Sequence, residues 1–200
     1  MAKYFTLSLL RMIKKTIVLI LAVAHLSSSM GQIKTLTVAP LGLVNKVRIK
    51  YEQQLHRNDW SIGTYLNVYY AYFQGVRVDP FVRFYFFSDN LKGLYLQLKL
   101  MGGIYQSNLV YKYYTSTDTL TTKQLTTFNM YGGGPALGYQ WYINDKIPFD
   151  VFAGFNLNKM SAPKMILKDN QMYDLFDDVL WYSFGPGSII HLHIGVGVRF

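Results

Sequence analysis

The sequence predicts an all-β fold, an eight-stranded antiparallel up-and-down transmembrane β-barrel. The first observation is that apolar and polar residues alternate with a period of two along most of the chain, which is typical of strands with two different faces. The second is composition: charged residues make up 16% of the chain, against roughly 25% in soluble domains, and aromatic residues are equally abundant at 16%. The third is that no segment after residue 31 is apolar for long enough to form a membrane-spanning helix.

The N-terminal residues 1–31 are predicted to be a signal peptide. Two lysines precede an apolar run at 16–24, and small residues follow it, with cleavage expected before Gln32. Met12 is a second candidate for the start, because the residues before it add nothing to this pattern. A single N-terminal anchor helix is the alternative. The barrel domain is then expected to occupy residues 32–200.

Alternation defines the eight strands in order. They are predicted at 33–40, 43–55, 60–73, 76–87, 94–105, 135–143, 149–159 and 191–200. In the fifth, for example, Leu94, Leu96 and Leu98 share one face, while Gln97 and Lys99 share the other. Short connections between most of these segments predict antiparallel neighbours. The first strand is the weakest, because it is short.

Two longer segments, 106–127 and 160–188, are predicted to be loops. They fall at the same end of the sheet, while short turns and both termini fall at the other, as in bacterial outer-membrane barrels. Aromatic residues are expected to form two belts at the membrane interfaces. The predicted belt at the short-turn end comprises Trp60, Phe86, Trp141, Phe149 and Phe200, and the opposite belt comprises Tyr70, Tyr72, Phe73, Tyr105, Phe128 and Phe155.

The polar faces of these strands predict a charged interior. The expected network comprises Lys46, Arg48, Lys50, Glu52, Arg77, Asp79, Arg83, Lys99, Asp150, His191, His193 and Arg199. Eight strands leave room mainly for side chains, so we interpret these residues as a plug of ion pairs and hydrogen bonds. A conductive pathway is the alternative.

The sequence predicts no catalytic residues, no metal site and no cofactor. The chain contains no Cys, which excludes disulfides, thiolate nucleophiles and Cys-ligated metals. His191 and His193 could reach one metal ion together, but no spacing fixes a third ligand, so we interpret them as a structural pair. The net charge is +9, yet the basic residues are dispersed, and no nucleic-acid binding is expected.

The final strand carries a resemblance to known families. "HLHIGVGVRF" resembles the C-terminal signal strand of outer-membrane barrels, in which alternate apolar residues precede a terminal aromatic residue. The resemblance implies that Val196, Val198 and Phe200 are read by the barrel-assembly machinery. The chain also resembles small OmpA/OmpX-type barrels, and "VNKVRIKYEQQL", "DPFVRFYFF" and "GLYLQLKLMGG" are similar to uncharacterised outer-membrane barrel proteins of Bacteroidota. Asp118-Thr119-Leu120 resembles the O-glycosylation motif of Bacteroidota, which makes Thr119 a candidate acceptor.

These similarities lead to a functional expectation. The chain is expected to be a monomeric, non-enzymatic barrel in the outer membrane of a Gram-negative cell, in contact with lipid and lipopolysaccharide. Its role would be envelope-structural, or surface interaction through 106–127 and 160–188 with an extracellular ligand that the sequence does not name. Two alternatives remain: a lipid A-modifying barrel enzyme, and a periplasmic lipocalin-like carrier.

Overall fold

The computed structural model describes residues 33–55, 59–71, 74–87, 90–114, 119–161, 171–174 and 185–200. Within these ranges only the backbone is described at 107–124, 126, 161 and 171–174. Residues 33–200 form one compact unit. The predicted signal peptide lies outside the described residues, and so does most of the predicted loop 160–188.

The described residues form ten strands and one short 3-10 helix. The strands are β1 (Lys34–Val38), β2 (Lys46–Gln54), β3 (Trp60–Tyr69), β4 (Gln74–Tyr85), β5 (Gly93–Tyr114), β6 (Thr119–Ile143), β7 (Ile147–Phe155), β8 (Leu157–Ser161), β9 (Gln171–Asp174) and β10 (Ile190–Arg199). The 3-10 helix, Pro40–Val44, connects β1 to β2. No helix in the described ranges is both long and apolar enough to cross a membrane.

The strands close into an antiparallel barrel. Each strand from β1 to β7 pairs with the next, and β10 pairs with both β7 and β1, which joins the two ends of the sheet. β8 continues the line of β7 along β6 after an interruption at Asn156. Eight positions therefore make up the wall, and the predicted all-β, eight-stranded antiparallel barrel is confirmed. The weak first strand is present, but only five residues long.

The strands are staggered around the barrel. The pairing registers give, for any residue, the residue opposite it on the next strand. When these pairs are followed around the whole wall from a residue of β1, they end ten residues away from that residue. A stagger of this kind accompanies strands tilted by about 35–45° to the barrel axis. The tilt brings residues that are distant in sequence to the same level of the interior.

The prediction that 106–127 is a loop was wrong. β5 and β6 continue through this segment as an antiparallel hairpin, from Gln106 opposite Thr127 to Tyr114 opposite Thr119. The segment is rich in Thr and Tyr, whose branched or aromatic side chains favour strands. We name the part of β5 and β6 beyond Gln106 and Thr127 the projecting hairpin.

The predicted loop 160–188 also contains strand structure. β8 runs through Ser161, and β9 pairs with the projecting hairpin, with Asp174 opposite Val110 and Gln171 opposite Tyr113. β8 pairs with the wall part of β6, and β9 pairs with β5 in the projecting hairpin. The prediction of a loop here was therefore wrong at β8 and β9.

Exposure alternates along the wall as the sequence pattern predicts. In β5, Leu98 and Leu100 are exposed on the outside, whereas Gln97 and Lys99 are buried inside. Most of the outward side chains are large and apolar. This outer face comprises, among others, Leu36, Val38, Ile49, Ile62, Leu94, Leu96, Leu98, Leu100, Leu137, Val151, Leu192, Ile194 and Val198.

The outward aromatic residues match the predicted belts only in part. At the short-turn end Trp60, Phe86 and Phe200 are exposed, and Trp141 stacks on Phe149 with ring centroids 5.4 Å apart. At the opposite end Tyr70 and Phe155 are exposed. The placement of Tyr105 and Phe128 in that belt was wrong: both are buried inside the barrel, because the parity of their strands turns them inward. Tyr72 and Phe73 lie outside the described residues.

Candidate functional site

The interior of the barrel is the candidate site, because the predicted network residues meet there. The buried ones, each exposing 4% or less of its surface, are Arg48, Lys50, Glu52, Arg77, Asp79, Arg83, Lys99, Asp150, His191 and His193. Lys46 is half-buried near the 3-10 helix. Arg199 is also half-buried and lies apart, with its guanidinium 5.4 Å from the centroid of the Tyr142 ring.

Four of these residues form an ion-paired layer, defined as Lys50, Glu52, Arg83 and Asp150. The Lys50 ammonium lies 2.7 Å from Glu52 Oε2 and 2.7 Å from Asp150 Oδ2. The Arg83 guanidinium lies 2.9 Å from the same two oxygens. The layer therefore contains two cations and two carboxylates, each cation touching both carboxylates, and its charge is balanced.

Uncharged side chains complete the hydrogen bonding of this layer. Tyr95 donates to Asp150 Oδ1, Tyr85 donates to Glu52 Oε1 at 2.8 Å, and Ser61 donates to the same Glu52 oxygen at 2.6 Å. The further partners are Tyr65, Gln97 and Gln140. The predicted network omits these residues because it was selected by charge, although the strand pattern places them on the same face as the charged ones, as for Gln97 and Lys99.

The Arg83 side chain is also held between two aromatic rings. Its guanidinium carbon lies 4.0 Å from the centroid of Tyr95 and 4.8 Å from that of Phe81. A cation over an aromatic face is attracted by the ring quadrupole, and this attraction is larger when both are removed from water. Arg83 is fully buried, so its ion pairs and ring contacts fix it in one position.

A second group forms a basic layer, defined as Lys46, Arg48, Arg77, Lys99 and Asp79. Arg77 and Asp79 form an ion pair at 2.8 Å. Arg48 donates to Asn67 Oδ1 at 2.7 Å and contacts His193 Nδ1 at 3.3 Å, and Lys99 contacts His191 Nδ1. This layer holds four basic side chains and a single carboxylate, so it differs sharply from the ion-paired layer.

Aromatic and aliphatic side chains pack around the charged layers in two buried clusters. One buried cluster contains Tyr65, Phe81, Tyr85, Leu91, Tyr95, Ala136 and Phe152. The other contains Tyr69, Met101, Tyr105, Phe128 and Met130. Leu91 belongs to the turn between β4 and β5, and its carbonyl accepts a hydrogen bond from Gln140 at 2.9 Å, so this turn folds under the barrel. The described interior is thus filled by packed side chains.

Histidine and serine side chains of the described interior take part in the same buried network. No group of three or more His, Asp or Glu side chains in the described ranges is arranged to hold a metal ion. His191 and His193 contact cations through their Nδ1 atoms. Ser61 donates to Glu52 and is fully buried.

The remaining predicted residues lie on the wall and the hairpin. Val198 and Phe200 are exposed on the outer face, and Val196 is half-buried. The backbone of Phe200 exchanges hydrogen bonds of 2.9 and 3.0 Å with Lys34. Thr119 is the first residue of β6, opposite Tyr114. Asp118 of the candidate glycosylation motif lies outside the described residues.

Comparisons with known proteins place the chain in a family. A family model described as "Protein of unknown function (DUF3575)" matches residues 17–176. The chain belongs to this family. Among solved structures, it is similar to the crystal structure of the N-terminal β-barrel domain of Pseudomonas aeruginosa OprF, at 10% identity and a TM-score of 0.35. That comparison covers 84% of this chain and 96% of the OprF chain. No curated protein matches the sequence.

Proposed function

We propose that this DUF3575 protein is a monomeric, non-enzymatic outer-membrane β-barrel with a filled interior, which presents the projecting hairpin and β9 at the cell surface. One observation carries the proposal: the wall is apolar on the outside and holds buried ion pairs on the inside. A soluble barrel that carries an apolar ligand requires the reverse arrangement.

The outer face supports contact with lipid. Leu98, Leu100 and Leu192 expose 59%, 69% and 67% of their surface, respectively. They belong to a continuous apolar face, and such a face in water would greatly exceed the few hundred Å² that soluble monomers usually expose. Membrane barrels place an apolar band on their outer surface with aromatic residues at its edges. Lipid is therefore the environment that this wall fits best.

The filled interior supports a role other than transport or catalysis. The ion-paired layer crosses the barrel, since Lys50 of β2 reaches Asp150 of β7 at 2.7 Å. Two buried clusters, rich in aromatic side chains, pack around the charged layers. An eight-stranded barrel is just wide enough for its own side chains. A solute would have to break several buried ion pairs to pass.

The projecting hairpin supports a role at the surface. It extends from Gln106 to Tyr114 on β5, and at about 3.4 Å per residue this length corresponds to roughly 25–30 Å of strand. β9 adds a third strand to the same sheet. In this proposal the two segments contact a partner outside the cell, and Thr119 at the far end of the hairpin is the O-glycosylation site.

The lipid environment can be tested by placing arginine on the outer face. Leu98→Arg should destabilise the protein in lipid vesicles by about 2–4 kcal/mol, since that is the cost of Arg near the bilayer midplane. Ile147→Arg is the matched control: Ile147 is also exposed but lies at the strand end, where the cost falls to about 0–1 kcal/mol. Urea unfolding in vesicles gives both values. If both variants destabilise the protein equally little, and the native protein is extracted from membranes without detergent, the alternative of a soluble lipocalin-like carrier is favoured.

The orientation can be tested with epitope tags. A tag inserted between Tyr114 and Thr119 should be labelled by antibody on intact cells. A tag in the turn at 144–146, which connects β6 and β7 at the opposite end, should be labelled only after the outer membrane is permeabilised. The opposite pattern of labelling would overturn the proposed surface display.

A further inference from the structure

The connection between β1 and β2 is apolar throughout. Its sequence, Pro-Leu-Gly-Leu-Val, forms the 3-10 helix Pro40–Val44 and contains no polar side chain. Leu41, Leu43 and Val44 expose 72%, 48% and 80% of their surface, respectively. The turn between β6 and β7 is instead Asn-Asp-Lys at 144–146, a composition typical of connections that lie in water. The 3-10 helix therefore differs from an aqueous turn.

Backbone hydrogen bonds hold this helix in place. The Ala39 N–H, just before the helix, donates to the Arg48 carbonyl of β2 at 3.1 Å. The Gly42 N–H donates to the Ala39 carbonyl at 3.2 Å, and the Asn45 N–H donates to the Gly42 carbonyl at 3.0 Å. Backbone groups that are paired in this way can lie at the edge of a bilayer, where unpaired ones would be costly.

Tyr70 places the end of the helix on the outer side of the wall. Tyr70 directly follows β3 and is exposed, whereas the adjacent Tyr69 is buried inside the barrel. The Tyr70 N–H donates to the Asn45 carbonyl at 3.2 Å, and the Tyr70 hydroxyl donates to the Leu43 carbonyl. Because the Tyr70 ring lies on the outside, the Leu43 carbonyl that it reaches lies there too.

The apolar surface of the helix continues the outer face of the barrel. Val38 and Ile49 are opposite each other on β1 and β2, next to the helix, and both are exposed on the outside. Alternate strands of an antiparallel sheet run the same way, so β1 ends where β5 ends. The helix is therefore at the end of the barrel that carries the projecting hairpin.

We propose that the 3-10 helix is an interfacial anchor, whose Leu41 and Val44 side chains insert among the acyl chains of the outer leaflet. This inference rests on the proposed function, since it requires the adjoining wall to lie in lipid. Interfacial segments bury their apolar side chains about 5–10 Å into the boundary between headgroups and acyl chains. The anchor then fixes the level at which β1 and β2 meet the membrane surface.

Site-directed spin labelling tests the anchor, because the chain contains no Cys. Leu41→Cys and Val44→Cys each carry one nitroxide, in the full chain folded into vesicles of phosphatidylcholine and phosphatidylglycerol. Collision rates with oxygen, which concentrates in lipid, and with a water-soluble nickel chelate give the depth of each label. Both labels should collide mainly with oxygen, at a depth of about 5–10 Å.

Two reference labels distinguish failure of the anchor from failure of the proposed function. Leu98→Cys, on the outer face, should lie deeper than both anchor labels, and Lys146→Cys, in an exposed turn, should collide mainly with nickel. If Leu98→Cys also collides mainly with nickel, the lipid-facing wall is wrong and the anchor with it. If Leu98→Cys lies in lipid but the labels at 41 and 44 meet mainly nickel, or meet neither reagent because protein covers them, the anchor alone is overturned.

Discussion

Replacing Asp150 with asparagine should strongly destabilise the barrel. Asp150 Oδ2 lies 2.7 Å from the Lys50 ammonium and 2.9 Å from the Arg83 guanidinium. At an effective dielectric constant of about 20, each contact corresponds to about 6 kcal/mol of Coulomb attraction. Most of this attraction is offset by the desolvation of the charges. Removing one partner of a buried pair nevertheless costs about 3–5 kcal/mol, because the remaining cations keep their desolvation cost.

Asparagine preserves the shape of Asp150 and can still accept a hydrogen bond from Tyr95, so we expect the lower part of this range, about 3 kcal/mol. The assay is urea unfolding of the folded protein in lipid vesicles, followed by tryptophan fluorescence. Asp145→Asn is the matched control. Asp145 is exposed in a turn with a φ of 54°, which asparagine adopts readily, so its effect should stay within about 0.5 kcal/mol.

A double variant separates charge from packing. Lys50→Met combined with Asp150→Asn leaves Arg83 and Glu52 as a balanced pair at 2.9 Å. The double variant should therefore be more stable than the sum of the two single effects predicts, by about 1–3 kcal/mol. If Asp150→Asn costs less than about 1 kcal/mol, or if the two changes are additive, buried charge does not organise this interior.

Three further predictions concern closure, assembly and conductance. Gly197→Val should destabilise the barrel by at least about 2 kcal/mol in the same urea assay, because a Cβ at residue 197 would lie 1.8 Å from the Leu36 carbonyl oxygen. Gly102→Val is the control, since a Cβ there meets open space and should not destabilise the barrel. Phe200→Ser should reduce the amount of folded protein in membranes, measured by heat-modifiable gel mobility. Phe87→Ser, at an exposed turn position, should leave that amount unchanged. Equal yields of the two variants would reject an assembly role for Phe200. In planar bilayers the purified protein should show no stable nanosiemens-scale openings, and regular openings would show that the interior conducts.

The wall strands were predictable because one simple constraint shapes them. Each wall residue faces either the interior or the outside, so a period of two is imposed on the sequence. The same parity correctly separated Lys99 from Leu98 and Leu100. It also explains the error at Tyr105 and Phe128, which were assigned by residue type to an outer belt although their parity turns them inward.

The projecting hairpin was not predicted because the constraint that shapes the wall strands does not act on it. Beyond Gln106 and Thr127 the two strands leave the barrel wall, so no constraint requires one face to be apolar. The alternation that identifies wall strands is then lost. The strand propensity of the Thr and Tyr residues was the one remaining signal. The segment 106–127 was predicted to be a loop instead.

The contacts inside the barrel could not be derived from sequence order. Lys50 meets Asp150 and Arg83 meets Glu52 because the wall closes and its strands are tilted. Parity predicts which side chains point inward, but the stagger between strands decides which of them share a level. The division into a balanced layer and a basic layer therefore appears only in the folded barrel.

The shortness of β1 has a consequence for the kinetics of folding. The last pairing needed to close the barrel joins β1 to β10, from Thr35 opposite Arg199 to Val38 opposite Val196. This pairing connects the residues most distant along the chain, so its loop-closure entropy cost is the largest. Because β1 is short, the pairing forms few hydrogen bonds to offset that cost. Folding rates fall as such non-local contacts dominate. We expect closure at β1 to be the slow step, with the hairpins of the other strands formed before it.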